Sequence, residues 1–330
     1  MKTQAAFSPA VLAIDAPRVA ERIQAEIREG VHFRLRRRGA VLGFSGGIDS
    51  SVAAALCARA LGSERVLGLL MPETESSADS LRLGRLVADF LHIRTECEDI
   101  SPALRAARCY ERRDAAIRTV IPDYGPGYQC KLVLPVLEGS AYPIPSVVVR
   151  SPEGREWRVR LTAEAYLGIV AASNFKQRVR KMIEYHHADR LQYAVVGTPN
   201  LLEYDQGFFV KNGDGAADLK PIAHLYKSQV YQLAEYLGLP REIRERQPTT
   251  DTYPLQQSQE EFYFSLPYDK MDLCLYGRNH GIPAAEVAAA AGLTAAQAES
   301  AYRMIDSKRR ATRYLHMPPL LIEPAGEASI

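Results

Sequence analysis

The 330-residue chain has no Cys-x-x-Cys pair, and its five cysteines (57, 97, 109, 130 and 274) are scattered and odd in number. That spacing offers neither a zinc site nor a disulfide framework, and it suits a reducing cytoplasm. Long apolar runs are missing too: nothing approaches the roughly 20 residues of a membrane helix. Met1 to Ala10 have neither a basic start nor an apolar core, so they do not read as a signal peptide. Excess charge of one sign is also absent, since 41 Lys and Arg against 39 Asp and Glu leave a formal net charge of +2. No global field therefore calls for nucleic acid or a membrane as partner. Internal repeats, low-complexity tracts and flexible linkers are lacking. What remains is an ordinary globular composition, 47% hydrophobic and 24% charged, of a length that suits one large α/β domain or two small ones.

Periodicity supplies the outline. From Asp15 a helix is expected, with Pro17 in its first turn and Val19, Ile23 and Ile27 every four residues. After the basic run Arg34-Leu35-Arg36-Arg37-Arg38, Ala40 to Phe44 reads as a buried strand running through a Ser/Gly turn into an Ala-rich helix, Ser51 to Leu61. Val66 to Met71 is a second strand and Ser76 to Leu91 a helix with Leu83, Leu86, Val87 and Phe90 on one side. Ile93 to Cys97 is a third strand. Ala163 to Arg190 reads as a long helix leading into the strand Tyr193 to Val196, and Tyr226 to Leu237 as another helix. Alternating strands and helices predict an α/β fold, a doubly wound parallel sheet with flanking helices. Between the halves, Tyr110 to Arg160 is rich in Pro, Gly and Tyr; Val147 to Val149 and Trp157 to Leu161 around a Ser-Pro-Glu-Gly turn predict a β-hairpin. The expected organisation is a single domain, 1–330, with an insertion at about 110–160 and a helical C-terminal segment at about 268–330.

Chemistry concentrates in Phe44-Ser45-Gly46-Gly47-Ile48-Asp49-Ser50-Ser51, between a strand and a helix. Two glycines permit a sharp turn, and hydroxyls with free N–H groups at a helix start make an anion site. Asp49 would repel phosphate unless it holds Mg²⁺. No Gly-Lys-Ser/Thr follows, so this is not the common nucleotide P-loop. A turn whose Ser and Gly merely cap the helix explains Gly-Gly, but not three serines and an aspartate together.

The pattern Ser-Gly-Gly-x-Asp-Ser-Ser resembles the pyrophosphate loop of the ATP-pyrophosphatase (PP-loop) superfamily, whose adenine nucleotide alpha-hydrolase-like members adenylate a substrate oxygen and release pyrophosphate. Downstream, Gly197-Thr198-Pro199-Asn200-Leu201-Leu202-Glu203 is followed by Gly207-Phe208-Phe209-Val210-Lys211-Asn212-Gly213-Asp214-Gly215-Ala216-Ala217-Asp218. Pro221-Ile222 and Tyr226-Lys227-Ser228-Gln229-Val230 come next. This run is similar to ammonia-dependent NAD synthetases, as are Asn174-x-Lys176-x-Arg178 and the basic Ser307-Lys308-Arg309-Arg310. The likeness covers about 40–104 and 163–319.

The resemblance implies ATP-dependent amidation of nicotinic acid adenine dinucleotide (deamido-NAD) by ammonia through an acyl-adenylate, with Mg²⁺ as cofactor and AMP and pyrophosphate as products. Phe44 would lie in the ATP site; Ser45, Gly46, Gly47, Ser50 and Ser51 would cradle the β- and γ-phosphates. Asp49 and Glu203 would hold the metal, and Thr198 would touch ATP. Lys227 would neutralise the triphosphate and Lys211 the phosphates or the acyl-adenylate, making Asp49, Lys211 and Lys227 the catalytic set. Asn174, Arg178, Lys211, Asp214 and Asp218 would lie along the dinucleotide. A homodimer built partly on the N-terminal helix is also implied. With about 40 residues ahead of the loop and no nucleophilic Cys segment among them, ammonia would be taken free or from a separate donor.

Departures from the pattern cluster on the acyl side. Val210 replaces Thr, Asn212 replaces Tyr, Ala216 a Gly, and Gln259 an acidic residue, while Pro248 to Thr252 is altered. An amide ligase for a different carboxylate therefore fits the same residues, as does a PP-loop tRNA-modifying enzyme or a non-catalytic nucleotide sensor. Retention of Asp49, Glu203 and Lys227 argues against the sensor, and the near-neutral charge against tRNA. The polar stretch Gln247 to Leu266 is a candidate lid or an ordinary connection. Arg34 to Arg38 reads as solvated charge, His186-His187 as neighbours that cannot share a helix face, and Trp157 as hairpin packing.

Overall fold

A computed structural model describes residues 7–133, 145–246, 253–255, 263–264 and 266–322. The first helix, α1 (Ala16–Arg28), starts where Asp15 accepts the N–H of Arg18, with Pro17 in its first turn. Its residues Ala20, Ile23 and Ile27 are buried, and Glu29–Arg34 extends it as one π turn. After β1 (Ala40–Gly43), α2 (Ile48–Leu61) begins three residues earlier than its Ala-rich run suggests, because Gly47 is the N-cap and the Ser/Asp residues form the first turn. Then follow β2 (Val66–Leu70), α3 (Ala78–Leu91) and β3 (Arg94–Cys97). On α3, Leu83 and Val87 are buried but Phe90 is 43% exposed, a correction to the expected apolar side: Phe90 falls outside the face that meets the sheet.

Two short helices, α4 (Ser101–Ala106) and α5 (Cys109–Arg118), lead to β4 (Gln129–Val133), β5 (Ser146–Arg150) and β6 (Glu156–Arg160). The last two are the expected hairpin; β4 adds a third antiparallel strand, with Cys130 opposite Val149 and Val149 opposite Trp157. Helix α6 (Ala163–Leu191), capped by Thr162, delivers the chain to β7 (Ala194–Val195), shorter than expected because only two residues pair with β1. Helices α7 (Leu201–Asp205), α8 (Lys227–Tyr236) and α9 (Arg241–Glu245) follow, then α10 (Tyr268–Asn279), α11 (Ala284–Ala291) and α12 (Ala295–His316).

The central sheet is parallel throughout, in the order β3-β2-β1-β7. Alternate residues face opposite layers. Ala40, Leu42, Val66 and Leu70 meet α1, α2, α3 and α8, while Val41, Leu67, Leu69 and Val195 meet α4 and α6. The inserted sheet packs Cys130, Leu132, Val147 and Val149 against Ile117 of α5 and Ala165 and Ile169 of α6. Trp157 is edge-on to Tyr128 at 6.2 Å, a packing residue as its hairpin position suggests. Helices α10 to α12 form their own apolar cluster with Leu12, Leu202 and Phe264. No helix among the described residues is long and apolar enough to cross a membrane. Of the expected lid, 247–252, 256–262 and 265, and with them Gln259, lie outside the described residues. The described Leu255 donates its N–H to the Cys130 carbonyl of β4 at 3.3 Å.

Candidate active site

The carboxyl ends of β1 and β2 open onto a cavity of about 860 Å³, where parallel α/β sheets place their ligands. The loop leaving β1 is shaped by sterics. Gly46 has φ +71°, and a Cβ there would stand 2.7 Å from Leu83 Cβ and 2.9 Å from the Ser80 carbonyl. Glycine is what fits. Gly47 N–H donates to Ser45 Oγ at 3.2 Å, and the Ser50 and Ser51 hydroxyls donate back to the Gly47 carbonyl at 3.0 and 2.8 Å. These bonds tie the serines to the start of α2, where free N–H groups and the helix dipole favour an anion.

Asp49 sits in the first turn of α2 and faces two other elements. Asn200 caps α7 in a reciprocal arrangement: its Oδ1 accepts the Glu203 N–H at 3.2 Å, while Glu203 Oε2 accepts the Asn200 N–H at 3.2 Å. The Asn200 amide Nδ2 then donates to Asp49 Oδ1 at 3.1 Å. Lys227 Nζ pairs with Asp49 Oδ2, and Lys227 is 1% exposed. Lys227 opens α8, whose first N–H groups, those of Lys227 and Ser228, are accepted by the Asp272 carboxylate at 3.3 and 2.7 Å. Burial pushes Asp272 up to about 6 against these bonds.

Two acidic side chains and one ammonium thus meet in a dry place. Burial, reinforced by the negative charge of Asp49, pushes Glu203 up to about 8 despite Lys227. Burial disfavours the Lys227 charge, yet Asp49 and Glu203 together raise its affinity for the proton. The group is short of positive charge by one carboxylate.

Phe44, Ser45, Gly47, Asp49, Ser50, Thr198, Glu203 and Lys227 line this cavity together with Asn174, Arg178, Lys211 and Asp214. Gly46 and Ser51 shape the loop from behind. Asp218 is not among the lining residues; its carboxylate accepts the Val195 N–H at 2.8 Å and the Tyr185 hydroxyl at 3.2 Å, closing the edge of the sheet. Asp214, held above its ordinary range by burial, accepts the Val210 N–H at 2.8 Å. Lys211 Nζ donates to the carbonyls of Tyr314 and Met317 at 2.8 and 3.2 Å, so it fastens the end of α12 at the rim. Arg178 Nε donates to the Lys211 carbonyl at 3.3 Å.

Residue patterns alone did not single out three participants. Arg246 lines the cavity, reaching the Gly46 carbonyl at 3.5 Å and Ser80 Oγ at 3.3 Å. Asn200 had a local signal, the three-residue spacing of a capping box before Glu203. Asp272 had none, since its partners lie 44 and 45 residues away. Away from the cavity, His187 Nε2 lies 3.2 Å from Glu98 Oε1, with Glu96 close by. Arg190 Nη2 donates to Glu96 at 2.8 Å and stands 2.9 Å from His187 Nδ1, so a guanidinium already fills the place a divalent ion would need.

Known proteins resemble this chain over most of its length. The NAD synthase family matches residues 19–119 and 158–314, passing over the sheet insertion. An NH(3)-dependent NAD(+) synthetase of Mesorhizobium japonicum is 62% identical over 318 residues, 96% of this chain and 100% of that protein, a span that includes the insertion. Among solved structures, the NMN synthetase of Francisella tularensis aligns with TM-score 0.65 at 21% identity, covering 94% of this chain and 99% of that one. The NH3-dependent NAD synthetase of Campylobacter jejuni aligns with TM-score 0.60 at 23% identity, covering 94% and 100%. The glycine loop, the Glu203 turn and the buried Lys227 all fall within the matched stretches, and the chain belongs to the NAD synthase family.

Proposed function

We propose that this chain makes NAD by amidating deamido-NAD with ammonia, consuming ATP and releasing AMP and pyrophosphate. The observation that carries the reading is the buried meeting of Asp49, Glu203 and Lys227 over a Ser/Gly loop at the edge of a parallel sheet. Two carboxylates with one cation fit magnesium, which takes one or two carboxylates and completes its shell with phosphate oxygens and water. Asp49 and Glu203 would hold it, and bound there it would supply charge neutralisation at the triphosphate.

The chain's own groups do the rest by placement. Ser45, Ser50 and the N–H groups opening α2 grip the β- and γ-phosphates, with Lys227 and Arg246 adding fixed positive charge. The substrate carboxylate oxygen then forms a bond to the α-phosphorus as the bond to the bridging oxygen breaks, and pyrophosphate departs with that electron pair. Ammonia adds to the acyl carbon, AMP leaves, and the surplus proton passes to solvent. Nothing in this sequence needs a covalent bond to the protein, so positioning dominates the rate.

The same proposal takes the chain as one catalytic domain working as a homodimer in the cytoplasm, fed by free ammonia or by a separate donor. A ligase for another carboxylate is the second reading, favoured by Val210, the one pattern departure among the described residues that lines the cavity. Asn212 has φ +60°, a left-handed position that asparagine tolerates, so its departure has a backbone reason instead. The test is pyrophosphate release with ATP, Mg²⁺, ammonium and deamido-NAD beside a panel of other carboxylates. Release with deamido-NAD and a drop on the order of a hundredfold in Asp49→Asn and Glu203→Gln are expected. Turnover by both variants at the parent rate would remove the metal assignment, and preference for another acid would decide for the second reading.

A further inference from the structure

The inserted sheet is no part of the family's common core, yet it reaches the cavity. Leu132 of β4 and Pro145, just before β5, line it, together with Tyr166 and Val170 of α6 and Tyr253. This end is anchored. Leu132 is 3% and Tyr253 4% exposed, and both pack within the insertion's own apolar layer, alongside Ile169 and Val149. The N–H of Leu255, two residues on from Tyr253, is held by the β4 carbonyl of Cys130.

Helix α6 links the two ends of the cavity. Its Arg180 donates to the Met71 carbonyl at the sheet edge, at 3.4 Å, and its Tyr166 stands at the insertion. Fourteen residues at about 1.5 Å each put these points roughly 20 Å apart. The sheet end carries the serine loop, the metal carboxylates, Lys227 and Arg246, which is the chemistry of a triphosphate. Among the described residues, the insertion end, Leu132, Pro145, Tyr166, Val170 and Tyr253, presents two aromatic rings and no ionic group. A polyphosphate gains nothing there, whereas a planar heteroaromatic group desolvates well against such walls.

We infer that the inserted sheet, through Leu132, forms the selectivity wall for the carboxylate substrate against Tyr166 of helix α6, the two side chains together setting how its apolar surface is received. The inference rests on the proposed amidation reaction and assigns a substrate-binding task to a segment outside the family's shared fold, working with a helix inside it. One apolar side chain more or less in such a pocket changes discrimination by ten- to a hundredfold, on the order known for enzymes that sort by shape.

The experiment measures KM for deamido-NAD and for ATP separately, by pyrophosphate release, in Leu132→Ala, Tyr166→Ala, Tyr166→Phe and Leu132→Trp. In Leu132→Ala and Tyr166→Ala, KM for the acid should rise about tenfold while KM for ATP stays within twofold; Tyr166→Phe should stay near the parent. Leu132→Trp, which fills the end of the cavity, should raise the acid KM by more than tenfold with ATP unaffected. Melting temperatures within a few degrees of the parent separate this from loss of fold. If acid KM stays within twofold in every variant, or if ATP KM moves instead, the wall is not where the acid binds. A parent protein that releases pyrophosphate with other acids but not deamido-NAD strikes the proposed function alone, and the variants then answer for the acid it does use. Release with no acid overturns both.

Discussion

At the scale of single residues, the site is a problem of unbalanced buried charge. Removing the ammonium with Lys227→Met leaves Asp49 and Glu203 facing each other, a change expected to cost about 3–5 kcal/mol of unfolding free energy. Adding Asp49→Asn to the same chain should restore part of that loss, and urea denaturation of the four chains in the cycle measures the coupling. A loss in Lys227→Met that Asp49→Asn does not relieve would mean that packing of the lysine stem, not charge, is what matters. Gly46→Ala tests the loop differently. At φ +71° and with no room for a Cβ, alanine should cost roughly 1–3 kcal/mol and disturb the phosphate grip, read as unfolding free energy and KM for ATP. The serines and Asp49 could be picked out in the sequence because loop chemistry is local, with turn, cap and helix start consecutive; Glu203, on a separate helix, was reached only through the likeness to ammonia-dependent NAD synthetases. Asn200 was half legible through its capping spacing. Arg246 and Asp272 were not, because they act across 166 and 45 residues and carry no local signature.

At the scale of elements, caps position the chemistry. Asp272 satisfies the first N–H groups of α8 and so fixes the backbone from which Lys227 reaches Asp49. Asp272→Ala should lower stability by about 1–2 kcal/mol and raise KM for ATP, with Asp272→Asn retaining most of both. Helix α12 offers a pH test. Lys308 Nζ donates to the Tyr263 carbonyl at 2.5 Å and lies 3.8 Å from the centre of that ring, and burial pulls its ammonium down to about 7. A folded value below the unfolded one means that the folded chain binds fewer protons between about 7 and the ordinary lysine range near 10.5. The contribution of Lys308 to stability therefore rises with pH across that window and is least favourable below it. The stability advantage of Lys308→Met over the parent should accordingly shrink from pH 7 to pH 10; an advantage independent of pH would show that the amine keeps its ordinary proton affinity. Which elements could be read in advance follows from the same physics. Helices α1 and α6 have their own N-caps, and α1 an apolar stripe as well, whereas β4 and α5 lie in a Pro/Gly/Tyr-rich stretch and are stabilised by partners distant in sequence. Their order had to come from packing.

At the scale of the whole molecule, the doubly wound sheet could be inferred because strands buried on both faces are continuous apolar runs, and only a parallel sheet under two helical layers hides them. How the inserted sheet closes one end of the cavity could not, since no local pattern records which wall a hairpin will form. This architecture also bears on the nitrogen source. The described elements are committed to the sheet, the insertion and the α10–α12 cluster, and no cysteine among them is placed as a nucleophile: Cys57, Cys109, Cys130 and Cys274 are buried, and burial holds all four thiols above their ordinary proton affinity. Cys97 is exposed at the end of β3, and it is absent from the cavity lining. Ammonium chloride should therefore support NAD formation by the purified chain, and glutamine should give less than a few per cent of that rate. Because neutral ammonia, not ammonium, carries the attacking lone pair, kcat/KM for total ammonium should climb with pH at unit slope in logarithmic terms until the neutral form predominates. A pH-independent value would mean that the protein captures ammonium and removes its proton itself, and glutamine matching ammonium would show that the protein releases nitrogen from it by groups not found among the described residues.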